Sequence, residues 1–252
     1  MRYFLYLSYN GTNYHGWQVQ DNAITVQQVL NESLSTLLRK DIMAMGSGRT
    51  DTGVHARMQV VHFDVEEELD GPQLVAKLNR FLPRDIAVHQ MKAVHPEANT
   101  RFDATSRQYH YLMHTHKSPF LENLSYGFYQ PLDVEAMNQA CEKLLQWKDF
   151  ECFSRVKTEV NNFYCDIFEA KWLTENENLL FSVRANRFLR GMVRAIVGTL
   201  IDVGQGKTGL NDFSDILESR DRRKAGRAVP PQGLYLNDIV YPEEIFIKSV
   251  EN

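Results

Sequence analysis

The spacing of apolar residues along the chain changes repeatedly between strand-like alternation and helical periodicity. Alternation predicts strands over residues 3–9, 58–66, 86–94, 106–115, 163–172, 179–185 and 233–241. Helical spacing predicts helices over residues 26–40, 71–82, 134–147, 188–204 and 211–219. The two kinds of element interleave without strict alternation, a pattern that predicts an α+β fold.

The organisation of the chain is predicted as two similar-sized α+β halves, residues 1–104 and 105–252. No linker rich in Gly, Ser or Pro separates them, so we expect the halves to share one continuous sheet. The first half carries a glycine-rich loop at residues 46–56. The second half carries a tyrosine-containing strand and the arginine-containing helix of residues 188–204.

Composition predicts a globular protein of the cytoplasm. The 252 residues, of which 43% are hydrophobic, can bury one large core or two medium ones. No apolar run approaches the roughly 20 residues that span a bilayer, and the N-terminus lacks the features of a signal peptide. The three cysteines, Cys141, Cys152 and Cys165, form no CxxC pair, which argues against a disulfide framework or a zinc site.

Positive charge is concentrated in one part of the chain, although the formal net charge is −4. Residues 184–227 contain ten Lys and Arg against five Asp and Glu, and no acid occurs from residue 178 to 201. A local basic zone on an acidic body is typical of a site that binds phosphates. A solvated helix face would have a similar composition.

The loop GSGRTDTGVHA at residues 46–56 contains the triplet Asp51-Thr52-Gly53. An aspartic protease needs a second carboxylate to share a proton, whereas this chain has one Asp-Thr-Gly, with Arg49 close by. The loop also lacks GxGxxG and a P-loop lysine. From the residues alone, Asp51 is either a catalytic carboxylate flanked by Arg49 and His55 or part of an ordinary Asx turn.

The sequence offers little support for a metal site. His110, His114 and His116 could share one face of a strand, but no acidic or cysteine partner lies at a characteristic spacing nearby. Exposed strand histidines are the favoured interpretation, and we expect no metal.

Five sequence blocks occur in a characteristic order. They are YNGTNYHGWQVQ at 9–20, GSGRTDTGVHA with QVVHF at 46–63, RFDATSRQYHY at 101–111, ANRFLRGMVRAIVGTL at 185–200 and GLYL at 233–236. This ordered set, which spans nearly the whole chain, resembles the TruA family of tRNA pseudouridine synthases.

The resemblance implies an isomerase that converts uridine to pseudouridine in the anticodon stem-loop of tRNA, at positions 38, 39 and 40. It implies a homodimer that works without metal or cofactor. The implied fold is a mixed, mainly antiparallel sheet built from two related α+β halves, with a central active-site cleft between them.

The resemblance also assigns roles by position. Asp51 matches the essential aspartate, Tyr109 the active-site tyrosine, and Arg194 the basic residue that pairs with the aspartate, with Arg190 as a rival for that role. The expected substrate-binding residues are Arg49, His55, Tyr109, Arg187 and Arg190.

The chemistry is compatible with these residues. Breaking the bond between ribose C1′ and base N1 builds positive charge that a carboxylate can stabilise or capture. Asp51 could attack C1′, attack C6 of the base, or remove a proton from C2′, and the sequence leaves the three routes open. An ionised aspartate in a dry pocket needs an arginine partner. The predicted helix places Arg187, Arg190 and Arg194 on roughly one face.

The extruded base also needs a partner. Tyr109 could take over its stacking, although a Tyr-x-Tyr strand that packs its own core is the alternative for Tyr109 and Tyr111. Arg49 is expected to fill the space of the flipped nucleotide or bind its phosphate. Gly46, Gly48 and Gly53 would let the backbone approach RNA closely. A catalytically silent RNA-binding module is the competing function.

Overall fold

A computed structural model describes residues 1–156, 161–175 and 178–247. The chain divides into two compact units. The first is Met1–Thr105 together with the residues from Leu236 onward, and the second is Ser106–Tyr235. Within the described residues, no helix is long and apolar enough to cross a membrane.

The first unit is a sheet with two helices. Its elements are β1 (Arg2–Tyr9), α1 (Val26–Leu38), β2 (Met45–Gly46), β3 (His55–Asp64), α2 (Gly71–Phe81), β4 (Ile86–Val94) and most of β9 (Leu234–Val240). The strand order is β4-β1-β3-β9, and β2 pairs with β3. Strand β1 is antiparallel to both β3 and β4.

The two helices of this unit begin where the sequence predicts and end one or two residues earlier than predicted. The Asp70 side chain accepts a hydrogen bond from the Gln73 backbone N–H (2.9 Å) and so caps α2, which ends ahead of Pro83. Leu74 and Leu78, one turn apart, are the buried residues of α2. The outer face of the helix therefore stays available to solvent.

The second unit also combines a sheet with helices. Its elements are β5 (Ser106–His114), β6 (Tyr126–Gly127), α3 (Val134–Gln146), β7 (Ile167–Glu175), β8 (Asn178–Ala185), α4 (Met192–Gly204) and α5 (Leu210–Ser219). The strand order is β5-β8-β7 with antiparallel neighbours, and β6 pairs with β5 in parallel. Both units thus confirm the predicted α+β class, and the pairing is mixed but mainly antiparallel.

Helix α4 is shorter than the sequence predicted. It begins at Met192 because Gly191, its N-cap, has the left-handed φ of 73°, a conformation that glycine adopts without steric cost. The prediction that Arg187, Arg190 and Arg194 share a helix face was therefore wrong. Arg187 and Arg190 lie in the segment that leads into the helix, and Arg194 is in its first turn.

Candidate active site

The Asp51 loop, residues 46–54, connects β2 to β3 and is fixed at several backbone positions. The Val54 N–H donates to the Asp51 carbonyl (3.1 Å), which closes a turn directly after the aspartate. The Trp17 N–H donates to the Thr50 carbonyl (3.2 Å), and the Thr50 hydroxyl shares a hydrogen bond with the Tyr9 hydroxyl (2.8 Å). Asp51 is half-buried. Its position is therefore set by its neighbours on both sides.

The segment of residues 9–20 packs directly against this loop. A Cβ on Gly11 would lie 2.0 Å from the Val54 carbonyl oxygen. A Cβ on Gly16, whose φ is +84°, would lie 2.4 Å from the Thr50 carbonyl oxygen. Only glycine permits such close approach of two backbones. This packing explains in physical terms why the first and second sequence blocks occur together.

The loop glycines have different surroundings from those expected. A Cβ on Gly46 would lie 2.5 Å from the Trp17 indole nitrogen, so this glycine makes room for a buried ring and not for RNA. Gly53 has a φ of 76° and donates its N–H to the Tyr14 carbonyl (3.3 Å). At Gly48 a Cβ would meet no atom within 4 Å.

Gln59, which sequence reasoning did not single out, holds the start of the loop from inside the protein. Its side chain is fully buried in β3. Its Nε2 donates to the Gly48 carbonyl (3.0 Å), while its Oε1 accepts from the Ser47 hydroxyl and from the Val60 N–H (3.2 Å). The sequence contained one indication of this role, because Gln59 is a polar residue on the apolar face of a strand.

His55 and Arg49 point to different environments. His55 is only 1% exposed, and its Nδ1 accepts a hydrogen bond from the Gly11 N–H (3.0 Å). An accepting Nδ1 carries no proton, so this geometry requires a neutral imidazole. His55 therefore helps to hold residues 9–20 on the loop, and its expected contact with substrate stays a prediction. Arg49 is exposed.

Tyr109 and Tyr111 differ in burial although they are neighbours on one face of β5. Tyr109 is half-buried, and its ring meets Phe188 edge to face, with centroids 5.1 Å apart. Tyr111 is fully buried and donates its hydroxyl to the Pro230 carbonyl (2.8 Å). Burial raises the pKa of Tyr111. The core-packing alternative thus holds for Tyr111, whereas Tyr109 retains an accessible part.

Arg194 is the best anchored of the three candidate arginines. Its Nε donates to the Val229 carbonyl (2.7 Å), and the Val229 N–H donates back to the Arg194 carbonyl (3.1 Å). The side chain is half-buried, whereas Arg190 is exposed. Arg187 donates through Nη1 to the Asn162 side-chain oxygen (3.3 Å).

Close backbone packing also positions helix α4. A Cβ on Gly198 would lie 1.8 Å from the Arg227 carbonyl oxygen, and one on Gly226 would lie 2.8 Å from the Gly198 carbonyl carbon. A Cβ on Gly233 would lie 2.7 Å from the Tyr111 ring. The segment of residues 226–233 is thereby held between α4 and β5.

Several arginines of the predicted basic zone have partners within the protein. Arg220 forms an ion pair with Asp149 (3.0 Å), and Arg223 forms one with Asp221 (2.7 Å). Arg222 donates to the backbone carbonyls of Ala225 (3.2 Å) and Gly226 (3.0 Å). The region around Arg220–Arg227 is therefore an internally bonded loop, not a uniform phosphate-binding surface.

The interpretation of the three histidines as exposed was wrong for His114, which is buried in β5. His110 and His114 lie on β5, whereas His116 follows the end of the strand. Across the described ranges 1–156, 161–175 and 178–247, no three His, Cys, Asp or Glu side chains are arranged to hold a metal ion.

Replacing Gly11 by alanine tests the packing on the Asp51 loop. We expect Gly11→Ala to lower the free energy of unfolding by about 1–3 kcal/mol or more, because the new methyl group overlaps the Val54 carbonyl. Gly48→Ala is the matched control, because its methyl group meets no neighbour, and should change stability by less than about 0.5 kcal/mol. Urea denaturation measures both. Equal effects of the two substitutions would contradict the packing argument.

Comparison with known proteins identifies the family. A family model described as tRNA pseudouridine synthase matches residues 6–103 and 140–242. Similar proteins named tRNA pseudouridine synthase A occur in Parabacteroides distasonis (50% identity over 246 residues, 97% of this chain and 98% of the relative) and Bacteroides fragilis (49% over 247 residues, 97% and 98%). One from Caldicellulosiruptor saccharolyticus is 38% identical over 239 residues, 94% of this chain and 98% of the relative. The chain therefore belongs to the tRNA pseudouridine synthase family, whose members are isomerases acting on uridine in tRNA.

Proposed function

We propose that this enzyme isomerises uridine to pseudouridine in the anticodon stem-loop of tRNA, at positions 38, 39 and 40, with Asp51 as its catalytic carboxylate. The observation that carries the proposal is a half-buried aspartate in a loop whose backbone is fixed from both sides. A carboxylate held in this way needs little reorganisation when charge develops at the substrate.

The reaction requires no external atoms. The C1′–N1 bond breaks, the base turns, a C1′–C5 bond forms, and the proton on C5 leaves while N1 gains one. Asp51 contributes by bonding to C1′, by adding to C6 of the base, or by taking a proton from C2′. Each route begins from the ionised carboxylate and needs no cofactor.

Arg194 is the proposed partner of the Asp51 carboxylate. Its Nε is bound to the Val229 carbonyl, so the direction of the guanidinium is fixed. The two terminal nitrogens of such an anchored arginine match the two oxygens of a carboxylate. Within the described residues, no hydrogen bond or ion pair anchors the side chain of the exposed Arg190, which supports Arg194 for this role.

The remaining side chains are proposed to bind RNA. Tyr109, whose ring packs edge to face against Phe188, stacks on the base at the reaction centre. Arg49 replaces the flipped nucleotide in the helix or binds its phosphate. Arg187 and Arg190 contact phosphates from the segment before α4. The side chain of Arg187 donates to a neutral group, the Asn162 amide oxygen, so its charge is not neutralised by that contact.

The proposed cellular compartment is the cytoplasm, and the proposed oligomeric state is a homodimer. The three cysteines are unpaired and buried, as suits a reducing compartment, and we place the enzyme in the cytoplasm. The resemblance to the family supports a homodimer. Gel filtration with light scattering measures that state directly.

Removing the Asp51 carboxylate tests the catalytic proposal. With tRNA tritiated at uridine C5, we expect Asp51→Ala to bind tRNA with near-normal affinity and to release tritium at least about a thousandfold more slowly. Asp41→Ala is the control, since it removes an exposed carboxylate from the same unit. Turnover by Asp51→Ala at the wild-type rate would favour another catalytic group. An inactive wild type that still binds tRNA would favour the silent RNA-binding module.

Separate substitutions of the two rival arginines test the ion-pair proposal. We expect Arg194→Met to lower kcat by about a hundredfold or more, because it removes the cation that stabilises an ionised carboxylate in a dry site. Arg190→Met should mainly raise KM, as loss of a phosphate contact does. Steady-state tritium release measures both constants. A larger fall in kcat for Arg190→Met would transfer the role to Arg190.

A further inference from the structure

The C-terminal end of α2 carries an exposed group of cations around an exposed aromatic ring, here called the α2 patch: Lys77, Arg80, Phe81 and Arg84. Phe81 is 52% exposed. Lys77, Arg80 and Phe81 are spaced i, i+3 and i+4 and are therefore neighbours on the helix surface. Phe81 continues the stripe of Leu74 and Leu78, but unlike those two residues it is not buried.

Within the part of the chain that the structure describes, Lys77, Arg80 and Arg84 form no ion pair with an acidic side chain. The sequence contains no Asp or Glu from residue 71 to 84. The next acid, Asp85, is already engaged: its carboxylate accepts the Tyr14 hydroxyl (2.7 Å) and the Asn13 side-chain amide (3.4 Å). Arg80 stabilises the last turn of α2 through the helix dipole, but that effect gives no reason for a neighbouring exposed phenylalanine.

The patch is connected to the Asp51 loop through a short chain of hydrogen bonds within the first unit. Tyr14 binds Asp85 with its hydroxyl, while its backbone carbonyl accepts the Gly53 N–H (3.3 Å). The Asn10 N–H donates to the Asp85 carbonyl (2.9 Å). The buried Tyr14 thus links Asp85 to Gly53. Asp85 directly follows Arg84, and Gly53 is two positions after Asp51.

We propose that the α2 patch binds the sugar–phosphate backbone of the substrate tRNA next to the nucleotide that reacts. Arg80 and Arg84 contact phosphates, with Lys77 adding to the local positive potential, and the Phe81 ring packs on an adjacent base or ribose. This assignment rests on the tRNA substrate of the proposed function. Cations interleaved with an aromatic ring are suited to nucleic acid, since each phosphate contact releases counterions and each exposed base offers a stacking face.

The test measures how tRNA binding depends on salt. For wild type and for Arg80→Gln/Arg84→Gln, the Kd for unmodified tRNA is determined over NaCl concentrations from about 50 to about 300 mM. We expect the double variant to bind about tenfold or more weakly at low salt, with a slope of log K against log salt that is shallower by about two, since each lost phosphate contact removes about one. In tritium release, the loss is expected in KM.

A matched control separates local contact from net charge. Arg39→Gln/Lys40→Gln removes the same charge from the same unit, at a position where Lys40 pairs with Glu66 (3.5 Å) and Glu67 (3.2 Å). Its salt slope should equal that of wild type. Phe81→Ala should weaken binding about tenfold without changing the slope, because it removes a stacking partner and no charge.

The outcomes distinguish the possibilities. An unchanged slope for Arg80→Gln/Arg84→Gln, or an equal loss in the control, overturns the assignment of the α2 patch. A fall in kcat at saturating tRNA with unchanged Kd also overturns it, since the substitutions would then act through the Asp51 loop. Failure of the proposed function would appear separately, as tRNA binding by wild type without pseudouridine formation.

Discussion

The conformation of the Asp51 loop depends on close contact between two backbone segments, which only glycine permits. Gly11 and Gly16 bring residues 9–20 against the carbonyl groups of Val54 and Thr50, closer than any side chain would permit. The turn around Asp51 is thereby specified by packing and by backbone hydrogen bonds. A carboxylate that is already in position needs little reorganisation when charge develops at a substrate. The packing around Asp51 therefore supports the catalytic role proposed for it.

Close packing at glycine also positions residues of the second unit. Gly198, Gly226 and Gly233 let the segment of residues 226–233 lie directly on α4 and on the Tyr111 ring. That segment provides the Val229 carbonyl that anchors Arg194 and the Pro230 carbonyl that binds Tyr111. In the first unit, the buried side chain of Gln59 forms hydrogen bonds with loop groups that packing removes from water.

Periodicity predicted elements such as α2 because their buried residues, here Leu74 and Leu78, follow a single stripe. Helix α4 differs, since it is buried on nearly every side. Periodicity failed at the start of α4, because apolar spacing continues through Phe188 and Leu189 although Gly191 adopts a left-handed conformation. The sequence also gave no indication that the residues from Leu236 onward belong to the first unit, since that return depends on tertiary packing. Ordered motifs single out Asp51, Arg194 and Tyr109 as candidates, and their roles stay predictions. The roles of Gln59 and Tyr14 became apparent only from their contacts.

The most direct test separates the charge of Asp51 from the fold of its loop. Asp51→Asn keeps the backbone contacts and removes only the ionised oxygen, so single-turnover conversion of bound tRNA can be compared with amide hydrogen exchange at Gly53 and Val54. The account predicts wild-type protection of those two amides and no detectable pseudouridine. Pseudouridine formed at a rate near that of wild type, with the loop equally protected, would contradict it.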